Sequence, residues 1–263
     1  MEVKMLENKK KYNRISFLLK DASPAFANML RRTIMDEVPT IAIDEVEFRK
    51  NTSVLYDEII AHRLGLVPIV TDIDSYKLPE ECACKGEGCS QCQVHFSLKA
   101  KGPCVVYASE LIPKDPKILP VYPKMPIVKL NKGQVLELEA VGTLGKGASH
   151  VKWSPGTAYY KYKPNIEVSK GAANPKGIVD SCPVDVFELK NNQAVVNKDN
   201  ELRCHLCGGC VDTDPEHVKL NESDKDFVFF VESWGQLSNK EMVSRAVEIF
   251  KRKLDDFSVQ LKA

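Results

Sequence analysis

Eight of the nine cysteines fall in two groups, Cys82, Cys84, Cys89 and Cys92, and Cys182, Cys204, Cys207 and Cys210, with Cys104 alone between them. A thiolate is a strong ligand for zinc and for iron, whereas reducing compartments keep thiols from pairing as structural disulfides. Grouped cysteines in a chain without an apolar leader segment therefore point to metal chemistry. The first group, Cys82-x-Cys84-x4-Cys89-x2-Cys92, contains Gly86 and Gly88, which permit the tight reversal that brings four sulfurs onto one ion. A zinc knuckle is the expectation there, with reduced, unliganded thiols as the alternative.

In the second group, Cys204-x-x-Cys207-x-x-Cys210 has the spacing with which bacterial-type ferredoxins wrap three corners of a [4Fe–4S] cube. The fourth cysteine of such a run, followed by proline, ligates the other cluster of a two-cluster protein. Here that position is Asp214-Pro215, while Cys182-Pro183 supplies the complementary half. Counting back from Cys182 gives Ile178, Pro175 and Ala172 where a second triplet would stand. Four ligands are present together and four are absent together, so one cluster is expected, [4Fe–4S] or, with a corner lost, [3Fe–4S]. The competing reading is zinc on the same thiols, aided by His205 or His217; both histidines are expected at the surface. Cys104 is expected to be a small buried hydrophobe.

The elements that must position these groups are legible in part. Arg14–Lys20 reads as a strand, Ser23 caps a helix that Pro24 opens, and Phe26, Met29, Leu30 and Ile34 form its apolar stripe until Pro39. Ile41–Lys50 alternates as a strand, and Asp57–Leu64 is a helix closed by Gly65. Strands are expected at 94–98, 105–108 and 135–141. Residues 171–222, with nine acids against five bases and four cysteines, read as an insertion poor in helix. Phe227–Val231 is a strand, and Ser238 with Glu241 opens a long helix whose stripe is Val243, Ala246, Val247, Phe250, Leu254 and Phe257. An amphipathic helix gains its stability from packing, so that stripe asks for a helical cover, its own first helix or a partner chain.

Composition limits the functions. With 263 residues, two or three structural units are expected. A net charge of +1, from 37 basic and 36 acidic residues, disfavours direct DNA binding. No run approaches the roughly 18 apolar residues of a membrane span, and a cytoplasmic location is expected. His62 has no evident catalytic partner, and Asp57 with Glu58 reads as a helix start rather than a catalytic dyad.

Two stretches carry a family resemblance. The first runs from Ala27-Asn28-Met29-Leu30-Arg31-Arg32-Thr33 through 38–44 and Asn51-Thr52-Ser53-Val54 to 57–68; the second is Ala148-Ser149-His150-Val151-Lys152-Trp153-Ser154-Pro155. They resemble the alpha-type assembly subunits of DNA-directed RNA polymerase, the group that includes bacterial alpha, its archaeal D counterpart and the eukaryotic third-largest subunit. The resemblance implies an α+β chain: a dimerisation domain from 1–38 and 223–263, a mixed β-rich insert domain at 39–170 carrying the 82–92 loop, and a ferredoxin-like domain at 171–222. It further implies a subunit of a nucleotidyltransferase complex with no catalytic site of its own. That subunit would heterodimerise with a small subunit L, dock the large catalytic subunits, and meet DNA only through the assembled complex. Partner contacts are then expected at Phe26, Leu30, Arg31, Arg32, Ile34, Val243, Val247, Phe250 and Leu254, although an intramolecular core would claim some of them. A ferredoxin-like electron carrier and a zinc-containing nucleic-acid binder are the competing functions.

Overall fold

A computed structural model describes residues 1–261; the last two positions of the expected C-terminal segment, 262 and 263, lie outside the described residues. The first strands are β1 (Glu2–Lys9), β2 (Arg14–Lys20), β3 (Thr40–Asn51), β4 (Gln93–Lys101), β5 (Cys104–Tyr107) and β6 (Ile112–Pro113). They are followed by β7 (Pro126–Leu130), β8 (Val135–Gly145), β9 (Gly156–Val168), β10 (Phe187–Lys190), β11 (Gln193–Val196) and β12 (Val218–Ser233). The helices are α1 (Pro24–Arg32), α2 (Asp57–Gly65), α3 (Pro175–Asp180), α4 (Gly209–Thr213) and α5 (Asn239–Gln260). Two compact units result: Met1–Asn8, Ile15–Met29 and Tyr159–Phe230 form one, and Lys9–Arg14, Leu30–Ala158 and the chain from Val231 onward form the other.

The first unit is built on a sheet of order β1-β2-β12-β9. Four consecutive residues of β2, Ser16 to Leu19, are buried, as expected of an inner strand covered on both faces. Phe17 stacks on Phe229 at 5.2 Å, and Tyr160 stacks on Phe229 at 5.7 Å. A satellite core then gathers Ile166, Ile178, Val186, Phe187, Ala194 and Val218 around Cys204 and Cys210. The β10–β11 hairpin pairs Lys190 with Gln193 through Asn191-Asn192, both at positive φ, the conformation of a two-residue hairpin turn that asparagine tolerates.

The second unit holds the antiparallel sheet β3-β8-β4-β6 and the ribbon β5-β7. Its core runs from Ile41 and Ile43 through Ile60, Leu64 and Phe96 to Leu138 and Leu144. The family-like stretch at 148–155 is pinned to this sheet. Trp153 donates its indole N–H to the Thr143 carbonyl at 3.1 Å, Thr40 donates its hydroxyl to the Trp153 carbonyl at 2.7 Å, and Lys152 pairs with Asp44 at 2.5 Å while lying over the Trp153 ring. Those residues hold a loop against the sheet. The other stretch does the same: Asn51 donates to the Leu55 carbonyl at 2.9 Å and to Asp57 at 2.7 Å, fixing the entry to α2.

Two expectations about helix ends need correcting. Gly65 is not a left-handed cap; it is the last residue of α2, the chain leaves the helix through Leu66 at φ −92°, and a Cβ at Gly65 would meet the Ile43 carbonyl at an ordinary 3.4 Å. Before Pro39, α1 gives way to a π turn, Thr33–Glu37, which carries Ile34 to complete burial.

Helix α5 starts as the sequence indicates, with Ser238 Oγ accepting from the Glu241 N–H at 3.2 Å. Its first turns are seated: Met242 and Ala246 are wholly buried, and the helix lies along the 33–37 turn. Lys253 pairs with Glu37 at 2.6 Å, and Arg245 pairs with Asp74 and, at 3.3 Å, with Glu248. Exposed pairs of this kind contribute about 0–1 kcal/mol, so burial of Met242 and Ala246 is the stronger anchor. Every residue from Lys251 to Gln260 is exposed. Replacing Ser238 with alanine should cost about 1 kcal/mol of stability by removing the cap, read as a lower urea midpoint with unchanged slope; an unchanged midpoint would show the cap to be dispensable.

Candidate metal centres

The Cys82–Cys92 loop is drawn into a knot by its own backbone. Lys85 N–H donates to the Cys82 carbonyl at 2.9 Å, Glu87 to Cys84 at 3.1 Å, and both Cys92 and Gln93 to Cys89 at 3.0 and 2.9 Å. Gly86 and Gly88 take φ of 87° and 93°, the left-handed region glycine enters without strain. The Sγ atoms lie 3.5 Å apart for Cys82 and Cys89, 3.5 Å for Cys84 and Cys92, and 3.8 Å for Cys89 and Cys92. A tetrahedron of bonds near 2.3 Å has edges of about 3.8 Å, so these distances suit one zinc-sized ion.

Four close cysteines can therefore hold a metal ion here. The thiols are poised unequally. The hydrogen bond from Cys82 pulls the Cys84 thiol down to about 6, and burial pushes Cys92 up to about 12. Four sulfurs this close cannot all ionise without a cation among them, which is what a divalent metal supplies. The loop is stitched to its unit by Lys77 N–H to the Gln91 carbonyl at 2.8 Å, by buried Leu78, and by Tyr76, whose hydroxyl donates to Asp115 at 2.9 Å.

The second set is wider. Among the described residues, only the Cys82 group gathers ligand atoms within 4.8 Å of one another, whereas Cys204 and Cys210 lie in the satellite core, Cys182 packs against it and Cys207 is exposed beside them in the chain. Burial raises the Cys204 thiol, and the neighbouring charges of Cys182 and Cys207 raise it further. Burial likewise raises Cys210, with Cys204 and Cys207 adding to the effect. A single zinc needs all four sulfurs on one atom, while a cubane binds each thiolate to a different iron and so spreads them. Four thiols are the donor set that either a tetrathiolate zinc or an iron–sulfur cluster takes.

Backbone amides already point at the sulfurs: Val186 N–H donates to Cys182 Sγ and Leu206 N–H to Cys204 Sγ, each at 3.4 Å. Leu206 and Gly208 have positive φ, so the backbone turns sharply between the ligand positions. Cys204 and Cys210 are buried, Cys182 is half-buried and Cys207 is exposed.

The positions a second cluster would use are apolar: Ile178 is wholly buried and Ala172 packs against the same core. Asp214, where the displaced cysteine would stand, accepts from the His217 amide at 3.1 Å and meets its Nδ1 at 2.9 Å. His217 is thus half-buried and paired rather than a surface residue, whereas His205 is exposed. Cys104 is also only half-buried, with its thiol toward the Lys101 carbonyl at 3.6 Å. One residue has no motif to announce it: Lys161 of β9 donates its ammonium to the Cys204 carbonyl at 2.7 Å, half-buried, with burial lowering its pKa while Cys204 opposes that shift.

The expected partner residues divide. Leu30 and Ile34 lie in the chain's own core, because the helix and π turn rotate them inward. Phe26, Val243 and Phe250 are half-buried, and Val247 and Leu254 are exposed at 51% and 49%. Arg31 is half-buried beside Met35, and Arg32 pairs with Asp36 at 3.6 Å.

Residues 41–157 match the RNA polymerase Rpb3/RpoA insert domain. Full-length relatives named DNA-directed RNA polymerase subunit Rpo3 include that of Archaeoglobus fulgidus, 39% identical over 98% of this chain and 96% of its own. The chain belongs to the Rpo3 family of DNA-directed RNA polymerase subunits. Rpo3 of Methanosarcina mazei is 40% identical over 97% of this chain and 96% of its own, and Rpo3 of Pyrococcus furiosus 38% over 100% and 97%. Within this Rpo3-family chain, no described helix is long and apolar enough to cross a membrane.

Hydrogen bonds from His217 hold the Asp214 carboxyl below its ordinary 3.8. A depressed folded pKa stabilises fully above the unfolded value, and that stabilisation is lost as pH falls through the folded value. Asp214→Asn should therefore lower stability at pH 7 and lose that deficit progressively below about pH 3.8, in urea melts over a pH series. A deficit independent of pH would contradict this role.

Proposed function

We propose that this chain is the non-catalytic assembly subunit of its polymerase, pairing with the small subunit L and then docking the large catalytic subunits. Residues 1–38 and 223–263 would serve dimerisation, 39–170 would be the docking insert, and 171–222 the ferredoxin-like domain. The observation that carries this reading is the uncovered apolar face of α5: Val247, Leu254 and Phe257 are 49–58% exposed on a helix whose first turns are already seated. Fully burying side chains of this size is worth roughly 1.5–3 kcal/mol each, so a helical partner is the natural cover. Val54, Tyr56 and Ile59, exposed at 69, 80 and 47% around the start of α2, offer a second apolar surface for a large subunit.

In this reading Cys182, Cys204, Cys207 and Cys210 hold one [4Fe–4S] cluster, and Cys82, Cys84, Cys89 and Cys92 hold one zinc. The cluster supplies cross-linking, and one-electron chemistry where a donor exists. The chain's own residues fold a small core around it, donate amides to its thiolates and close the lost half of the ferredoxin pattern with apolar side chains. An electron carrier would use a second centre, and the replaced second ligand set weighs against that alternative.

The test is co-expression with subunit L. Leu254→Asp places a charge on the exposed seam without touching the core, so it should leave the circular dichroism spectrum unchanged and weaken the heterodimer by roughly 100-fold or more in a binding titration, the scale of a lost hot spot. Undiminished pairing would overturn the scaffold reading of α5. Metal analysis of anaerobically purified chain should give one zinc, lost in Cys89→Ser, and four irons, lost in Cys204→Ser; iron retained after the second change would remove the cluster assignment.

A further inference from the structure

Lys161 is anomalous in a strand of this kind. It is half-buried, and a half-buried ammonium loses much of its hydration, yet no carboxylate among the described residues is bonded to it in compensation; its bond goes to the Cys204 carbonyl at 2.7 Å. The Phe230 ring lies 6.0 Å from the same nitrogen, at the far limit of a cation–π contact. Held on that carbonyl, its charge also acts on the Cys204 thiol, whose own charged neighbours are Cys182 and Cys207. Coulomb energy grows as the effective dielectric constant falls, so a charge held here acts on Cys204 more strongly than a solvated surface lysine would.

We propose that Lys161 is the positioning and charge-tuning residue of an iron–sulfur cluster on Cys182, Cys204, Cys207 and Cys210: its ammonium fixes the Cys204 main chain and raises the cluster's reduction potential. The inference rests on the cluster reading above. Reduction adds one electron, and so one negative charge, to the cluster without making or breaking a bond; dithionite supplies that electron in the test. A fixed positive charge nearby stabilises the reduced form more than the oxidised form. Net charge and hydrogen bonding near the sulfurs are established determinants of cluster potential. The lysine also binds the first ligand of the triplet through its backbone, so the same contact that sets the charge sets the geometry of Cys204.

The experiment is an anaerobic redox titration of the reconstituted full-length chain, followed by electron paramagnetic resonance, with iron and sulfide counted in every sample. Wild type is compared with Lys161→Met, which removes charge and donor, Lys161→Gln, which keeps a donor, and Lys161→Arg, which keeps the charge. At the wild-type midpoint the reduced-to-oxidised ratio should fall about tenfold in the Met and Gln variants, a shift of about 59 mV for one electron. In the Arg variant it should stay within twofold. Loss of iron from both neutral variants with retention in Arg would equally support a charge requirement. Wild-type ratios in Met and Gln at full iron content, or iron loss that includes Arg, would overturn the proposal. A wild-type chain that takes up no iron at all would sink the cluster reading, and this inference with it, which separates the two failures.

Discussion

Among the described residues, nothing of this chain buries the second half of α5. A helix of 22 residues is about 33 Å long. The turn at 33–37 and the buried side chains of Met242 and Ala246 seat its first turns, whereas the ten residues from Lys251 to Gln260 all face solvent. Isolated helical turns are marginal in water, and their apolar residues gain nothing until something covers them. Leu254, Phe257 and Val259 stand out among lysines, arginines and aspartates, which keep the uncovered segment in solution without giving it a core. A chain built this way is completed by association, and an obligate interface with core-like apolar character is the usual form of such completion.

The two cysteine groups answer a different need. Neither the 82–92 loop nor the 171–222 segment has enough apolar side chains to close a large core of its own, and in both the buried thiols are part of what core there is. A metal ion or cluster converts thiols that resist ionisation into cross-links. In the first group, sulfurs 3.5–3.8 Å apart suit one ion. The replaced second set of ferredoxin positions, Ala172 and Ile178 packed inward and Asp214 turned to His217, is ordinary structure in this chain.

Local signals are the most legible. The cap at Ser238, the strand at Arg14–Lys20 and the tight Cys82–Cys92 grouping each depend on residues within a few positions of one another, and each is found where the sequence places it. Gly65 misleads, because a glycine after a helical run suggests a left-handed cap, whereas α2 includes Gly65 and the exit falls to Leu66 with negative φ. Leu30 and Ile34 lie on the same stripe as Phe26, and periodicity alone cannot tell a stripe facing its own core from one facing a partner; the π turn adds a rotation that no heptad count contains. Lys161 is invisible in the sequence, since its link to Cys204 spans 43 positions. The Asp214–His217 pair, three residues apart, is within reach of a spacing argument.

Amide hydrogen exchange along α5, with and without the proposed small-subunit partner, probes the uncovered segment directly. Amides near Met242 and Ala246 should be protected in both states, and those from Lys251 to Gln260 should exchange rapidly in the free chain and slow by roughly 100-fold or more in the pair. Strong protection of 251–260 in the free chain, or no change on adding the partner, would contradict the account.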